Sequence, residues 1–291
     1  MKKIIFTIIS FLIINLLNAQ FVCSCLPEGI TFTTQTQIDS FPINYPGCNV
    51  IEGNVIIQGG SGITDLYGLN PITEIQGDLE IRSCNMNNPQ GLENLTQVGG
   101  NLIIDGGDNS TGFVNLIGLD SLESVGGDLE VSYSSIESLE GLGSLTNVEG
   151  DVIIGGAISF MTSPGNWLLE DLQGLSNLNT IGGRLLIGHN DLLTDLSGLE
   201  NLTQVDALIV RNIDSLQSLS GLDAITYTNY LFIAECPVLS DLSGLENLDS
   251  IGKMSVSRND SLLSLAGLNN IGLIHQIGIY ENPLLNDISG M

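Results

Sequence analysis

Two histidines, five cysteines and 33 carboxylates are the residues of this 291-residue chain whose types suit them to chemistry. His189 and His275 stand far apart, outside any H-E-x-x-H pattern, and the chain has neither a G-x-S-x-G nucleophile elbow nor a lysine in a P-loop. Separated by several repeat units, they predict neither a shared metal nor a Cys/His pair. Carboxylate pairs abound, but acid–base catalysis needs a polar cleft that drives two pKa values apart, and the pattern described below builds none. Asp105, Asp108 and Asn109 offer oxygens to calcium without the loop spacing and terminal Glu of an EF-hand. These residues predict a protein that is not an enzyme and needs no cofactor, with calcium at that loop as the one metal left open.

The cysteines divide into two groups. Cys23, Cys25 and Cys48 cluster near the N-terminus, whereas Cys84 and Cys236 lie inside repeats. A disulfide from Cys48 to either Cys25 or Cys23 closes the N-terminal segment, and the reading favours Cys25. Upstream, Lys2 and Lys3 precede the apolar run Ile4 to Leu17, and Leu17-Asn18-Ala19 fits a small-residue cleavage site. The run falls short of the ~20 apolar residues of a spanning helix, so residues 1–19 read as a signal peptide with Gln20 as the mature N-terminus. A lipid anchor on Cys23 is disfavoured, because Gln20-Phe21-Val22 lacks the small residues expected before it. No later segment is long enough for membrane insertion, so the expected location is secreted or extracellular, with attachment to the outer cell surface left open.

Loss of Lys2 and Lys3 leaves five basic residues (Arg82, Arg184, Arg211, Lys253 and Arg258) against 33 acidic ones, a net charge near −28. Phosphate backbones are bound through Lys and Arg, so nucleic acid is excluded as a partner, as is electrostatic attraction to anionic lipid.

The rest of the chain is periodic. Gly68, Gly91, Gly118, Gly141, Gly174, Gly198, Gly221, Gly244, Gly267 and Gly290 follow one another at intervals of 23, 27, 23, 33, 24, 23, 23, 23 and 23 residues. A fixed period in this range is the mark of a solenoid of stacked coils. The consensus is G-L-x-x-L-x-x-I-G-G-x-L-x-I-x-x-N-x-x-L-x-x-L-x, and in one coil it points Leu175, Leu178, Ile181, Leu185, Ile187, Leu192, Leu196 and Leu199 inward. That spacing follows no helical face, and only L-x-I alternates as a strand does. It recurs from Val55/Ile57 to Ile277/Ile279, which predicts ten strands side by side in a parallel sheet. Residues 20–47 fall outside the repeat. They read as a cap clamped by the disulfide, with a helix over Thr33–Phe41 that presents Ile38 and Phe41 and ends at Pro42.

At L-x-I-x-x-N/C the repeat resembles the leucine-rich repeat, whose Asn or Cys after the strand ties the corner. Cys84, Asn190, Cys236, Asn259 and Asn282 occupy that position, and Ile213 departs from it. The opening Cys48-Asn-Val-Ile-Glu-Gly-Asn-Val-Ile-Ile also looks like the start of a receptor L domain, as found in growth-factor-receptor ectodomains and secreted bacterial proteins. The resemblance covers about residues 48–291. It implies a leucine-rich-repeat or receptor L-domain-like β solenoid, a right-handed parallel β-helix of about ten coils of ~23 residues. It also implies that Cys84 and Cys236 are buried corner residues. Because Ile288-Ser-Gly290-Met291 stops in mid-repeat, the expectation is a solenoid truncated at its C-terminus, with a covalently continuing domain possible there.

Two features rise above the scaffold. Insertions Gly106–Phe113 and Gly155–Trp167 both follow a strand, and the second carries Phe160, Met161 and Trp167. It either packs down on its own coil or contacts a partner. The residue between each L and I forms an outward column, in which Ile153, Leu186, Ile209 and Phe232 make an apolar stripe. Loop and stripe together are the candidate binding site. The function expected is recognition or adhesion at a cell surface, with a surface protein or glycan as partner. The alternative is a structural spacer within a longer adhesin. Asn94, Asn109, Asn201 and Asn259 fit N-x-S/T, which bears on the surface only in a eukaryotic secretory pathway.

Overall fold

The computed structural model describes residues 23–107, 112–156 and 165–289, and these form a parallel β-solenoid. One wall is an 11-stranded sheet made, in spatial order, by Ile30–Phe32, Val55–Gly60, Leu79–Cys84, Leu102–Asp105, Leu129–Ser132, Val152–Gly155, Arg184–Gly188, Gln204–Arg211, Tyr227–Ala234, Ser250–Ser257 and Leu273–Tyr280. A second, 7-stranded sheet of two-residue strands runs from Ser24–Cys25 to Thr180–Ile181. Every pairing is parallel, and the register is that of the repeat: Leu129 faces Val152, Val152 faces Leu185, Leu185 faces Leu208. The inward Leu, Ile and Val side chains are almost all fully buried in one continuous core. Each is worth roughly 1.5–3 kcal/mol.

The recurrent glycine has two physical reasons. At Gly221 the backbone sits at φ +104°, and a Cβ built there would lie 2.1 Å from the Leu196 carbonyl oxygen of the preceding coil. Only a residue without a side chain permits that approach at that angle. The acidic residue two places on is also explained, since the Asp223 carboxylate accepts the Gly221 N–H at 3.0 Å and Glu246 accepts that of Gly244 at 2.8 Å. Many of the carboxylates that dominate the charge are thus corner ties.

The corner after the strand is tied by side-chain amides. Asn259 Oδ1 accepts the Cys236 N–H and Asn282 Oδ1 accepts the Asn259 N–H, both at 3.0 Å. Cys84 and Cys236 are buried there as expected, and burial drives the Cys236 thiol up to about 12. Ile213, the departure from the pattern, fills the corner with hydrocarbon. Asn166, placed after the longer insertion, is fully buried, accepts from the Ser134 hydroxyl at 2.8 Å and donates to the Val131 carbonyl at 2.8 Å. It is therefore the corner residue of its coil, and the insertion lies between strand and corner. One inward assignment is corrected: Leu192 is 43% exposed and Leu193 is buried, because the Leu193 N–H closes a tight turn onto the Asn190 carbonyl.

The N-terminal segment also differs from expectation. Its strands Ser24–Cys25 and Ile30–Phe32 join both sheets, so the disulfide-clamped cap is itself built as a first coil. The single expected helix is two short ones, Gln35–Asp39 and Phe41–Asn44, broken at Ser40. Pro42 stands in the first turn of the second, where its missing N–H costs nothing. Ile38 and Phe41 are buried, and Cys25 is bonded to Cys48, with Cys23 free and exposed.

Candidate functional site

Alternation along the strands sends three residues of each coil to the outer face of the long sheet. The central one is the predicted column. Ile153 pairs with Leu186, Leu186 with Ile209 and Ile209 with Phe232, so the structure brings these four into one row. Ile153, Ile209 and Phe232 are partly exposed. Leu186 is buried at 2% exposure between its neighbours, so the stripe is broken there. Phe160 and Met161 lie outside the described residues. Trp167 is 51% exposed, but it follows corner Asn166, at the rim of the sheet and off the stripe. In the next coils that rim position belongs to Asp191, Asp214, Pro237 and Asp260. The calcium candidate is half visible: Asp105 binds the Gly107 N–H at 2.8 Å and pairs with Arg82, and Asp108 and Asn109 are outside the described residues.

The column before the central one divides the face in two. From Asn54 to Arg184 it is a ladder in which each side chain accepts the backbone N–H of the next coil. Asn54 Oδ1 takes Asp78 N–H at 3.0 Å, and Asp78 takes Asn101, Asn101 takes Asp128, Asp128 takes Asp151 and Asp151 takes Arg184, each at 2.7 Å. Glycine precedes each accepting coil because the side chain lies against it: a Cβ on Gly127 would sit 2.3 Å from Asn101 Oδ1. At Arg184 the ladder ends. Burial alone would raise the Asp151 carboxyl, but hydrogen bonds to Arg184 (2.9 and 2.6 Å from the guanidinium) and its charge hold it below the usual range.

Beyond that point Ala207, Tyr230, Lys253 and Gln276 stand in the ladder column. The glycine-glycine corner is also gone, so the chain runs straight through in strands of eight residues. Tyr230 and Phe232 project as a pair, ring centroids 6.1 Å apart, and Lys253 Nζ lies 5.4 Å from the Tyr230 ring. Sequence reading missed this cluster, although the signal was present: Tyr-Leu-Phe-Ile stands where earlier coils read Asp-Leu-Glu-Val or Asp-Val-Ile-Ile. It also missed that Arg82, Arg184, Arg211 and Lys253 all fall in outward positions of this one sheet, with Arg258 just past its edge.

That edge is a shallow groove lined by His189, Asp191, Asp214, Glu235, Arg258 and Glu281, among others. Arg258 bridges Glu235 at 2.9 Å and Glu281 at 2.7 Å. Burial, and then the charge of Arg211, lower the His189 imidazole, while burial and the charge of Asp214 raise the Asp191 carboxyl. His275 belongs to the Leu273–Tyr280 coil, four strands beyond that of His189, so the two imidazoles are not brought together. Among the described residues no group of three or more His, Cys, Asp or Glu is placed to hold a metal ion, and no helix is long and apolar enough to cross a membrane.

With the geometry in place, comparison with known proteins adds one result. The family model for the receptor L domain matches residues 47–105, from the residue before the disulfide's Cys48 through the strand Leu102–Asp105. That family is of a non-enzymatic, ligand-binding kind. No curated protein matches the chain.

Proposed function

We propose that this chain is a secreted or cell-surface recognition protein, without catalytic activity, that binds a surface protein or glycan through the outer face of its long sheet. The observation that carries the reading is the change of that face at Arg184. Before it, the column beside the central one is bound to backbone as the ladder; after it, that column and the central one present Tyr230, Ile209 and Phe232 beside cations in a chain whose charge is mostly carboxylate. Export by residues 1–19 and the Cys25–Cys48 disulfide fit an oxidising compartment. Trp167, at the rim, is available to the same partner, with Phe160 and Met161 in the insertion before it.

The test is binding of the chain from Gln20 onward to arrays of surface glycans and surface proteins. Ile209→Asp with Phe232→Asp should abolish retention by at least about tenfold, the loss of ~1.4 kcal/mol or more, with an unchanged circular dichroism spectrum. Retention unaffected by the pair would refute the sheet face as the binding surface.

A further inference from the structure

From this reading of the sheet face we infer a specific ligand class: a saccharide carrying a carboxylate, seated over the strand Ser250–Ser257. The three last strands of the sheet shape a trough there. One wall is the Tyr230–Phe232 pair on Tyr227–Ala234. The other is Tyr280, whose ring lies directly over Gly278: a Cβ built on that glycine would meet Tyr280 Cε2 at 2.6 Å and its hydroxyl at 2.9 Å. Between the walls the outward residues are Ser255 and Ser257, aligned with Phe232 and Ala234 on one side and with Gly278 and Tyr280 on the other. Two strand spacings of ~4.8 Å separate the Phe232 and Gly278 backbones, a width suited to one six-membered ring.

The chemistry of the lining selects the ring. Aromatic faces stack on the C–H face of a pyranose, and the hydroxyls of Ser255, Ser257, Tyr230 and Tyr280 with the Gln276 amide suit its hydroxyl groups. None of those five polar groups has a hydrogen-bond partner among the described residues, in contrast to the ladder residues Asn54 to Asp151, whose side chains are bound to backbone. Since strand Ser250–Ser257 is paired on both sides, it has no open edge on which a peptide could add as a strand. At the end of the trough is Lys253, exposed, with its ammonium held over the Tyr230 ring and no carboxylate paired to it among the described residues. The carboxylate of Asp206 lies two strands away and accepts the Asn229 amide at 2.6 Å. Lys253 thus supplies a local positive charge facing the ring, and at physiological salt the chain's remaining negative charge is screened beyond about 8 Å.

Titration calorimetry of the chain from Gln20 onward tests this with two acidic probes and their neutral counterparts: trigalacturonate against its methyl ester, and sialyllactose against the methyl ester of its sialic acid. At least one acidic probe should bind tenfold or more tightly than its neutral counterpart, Lys253→Gln should erase that difference, and Phe232→Ala should abolish binding of both forms. Equal affinity for acid and neutral forms, retention of the preference by Lys253→Gln, or no binding of any probe would overturn the inference. If the arrays still show binding that Ile209→Asp with Phe232→Asp removes, recognition by the sheet face stands and only this ligand class falls. If that pair leaves array binding intact, both readings fall together.

Discussion

Asp128 holds the Asp151 N–H of the next coil with one carboxylate oxygen at 2.7 Å, and Gly150 leaves it room, since a Cβ there would lie 2.2 Å from that oxygen. Only the acceptor matters to this contact, not the charge. Asp128→Asn should therefore be tolerated, whereas Asp128→Ala leaves a partly buried N–H unpaired and should cost about 1–3 kcal/mol, read from denaturant midpoints. The rim carboxylate of Asp191 behaves in the opposite sense. Burial and the neighbouring Asp214 raise its pKa in the folded chain. The folded state then holds more protons than the unfolded one between the two pKa values, so stability falls as pH rises through that window. Asp191→Asn should raise the melting temperature slightly at neutral pH, within the ~0.5 kcal/mol of a solvent-screened surface site. The gain should vanish once the pH drops below the ordinary carboxylate value of ~3.9. A gain that persists in acid would show that Asp191 carries no such penalty.

At the scale of the element, the ladder and the glycine corner rise and fall together. Where Gly-Gly precedes the strand, as at Gly126-Gly127, the coil breaks into a two-residue and a four-residue strand; where Val205-Asp206-Ala207 replaces it, one strand of eight residues results. Glycine is needed because the Asx side chain of the previous coil occupies the space of its Cβ. The first coil depends on a different tie. Its own strands are two and three residues long, and the Cys25–Cys48 bond closes a separation of 23 residues. Reduction should release residues 23–47 first, seen as faster hydrogen exchange at Ser24–Phe32 with the Leu129 and Leu208 strands still protected. Uniform loss of protection would mean that the first coil is not a separable unit.

The period of the solenoid, its parallel sheet, the outward column and the corner residues were all legible in the sequence, because one backbone conformation repeats and its requirements repeat with it. What was not legible depended on relations between coils. The Asx ladder is invisible within any single repeat, and Tyr280 over Gly278 depends on packing that no spacing encodes. Leu186 looked exposed by alternation, yet its flanking neighbours bury it. Asn166 was hidden by the insertion, although the N-x-x-L that follows a strand elsewhere survives as Asn166-Trp167-Leu168-Leu169. The five cysteines held one decidable pair, and the structure makes the bond at Cys25.

For the whole molecule, the five cations of residues 20–291 against their 33 carboxylates mean self-repulsion at neutral pH. Monovalent salt should raise the melting temperature, because screening relieves that repulsion; a fall with salt would mean that pairs such as Arg184–Asp151 outweigh it. The same imbalance sets apart the placement of those cations, four on one sheet and one at its edge, on the face proposed for binding. The most direct measurement is hydroxyl-radical footprinting of the chain from Gln20 onward, free and bound to the surface glycan or protein that retains it. The account predicts protection of Tyr230, Phe232 and Tyr280, with the corner side chains of the opposite sheet unchanged. Protection confined to that opposite side, with the three aromatic residues as reactive as in the free chain, would contradict it.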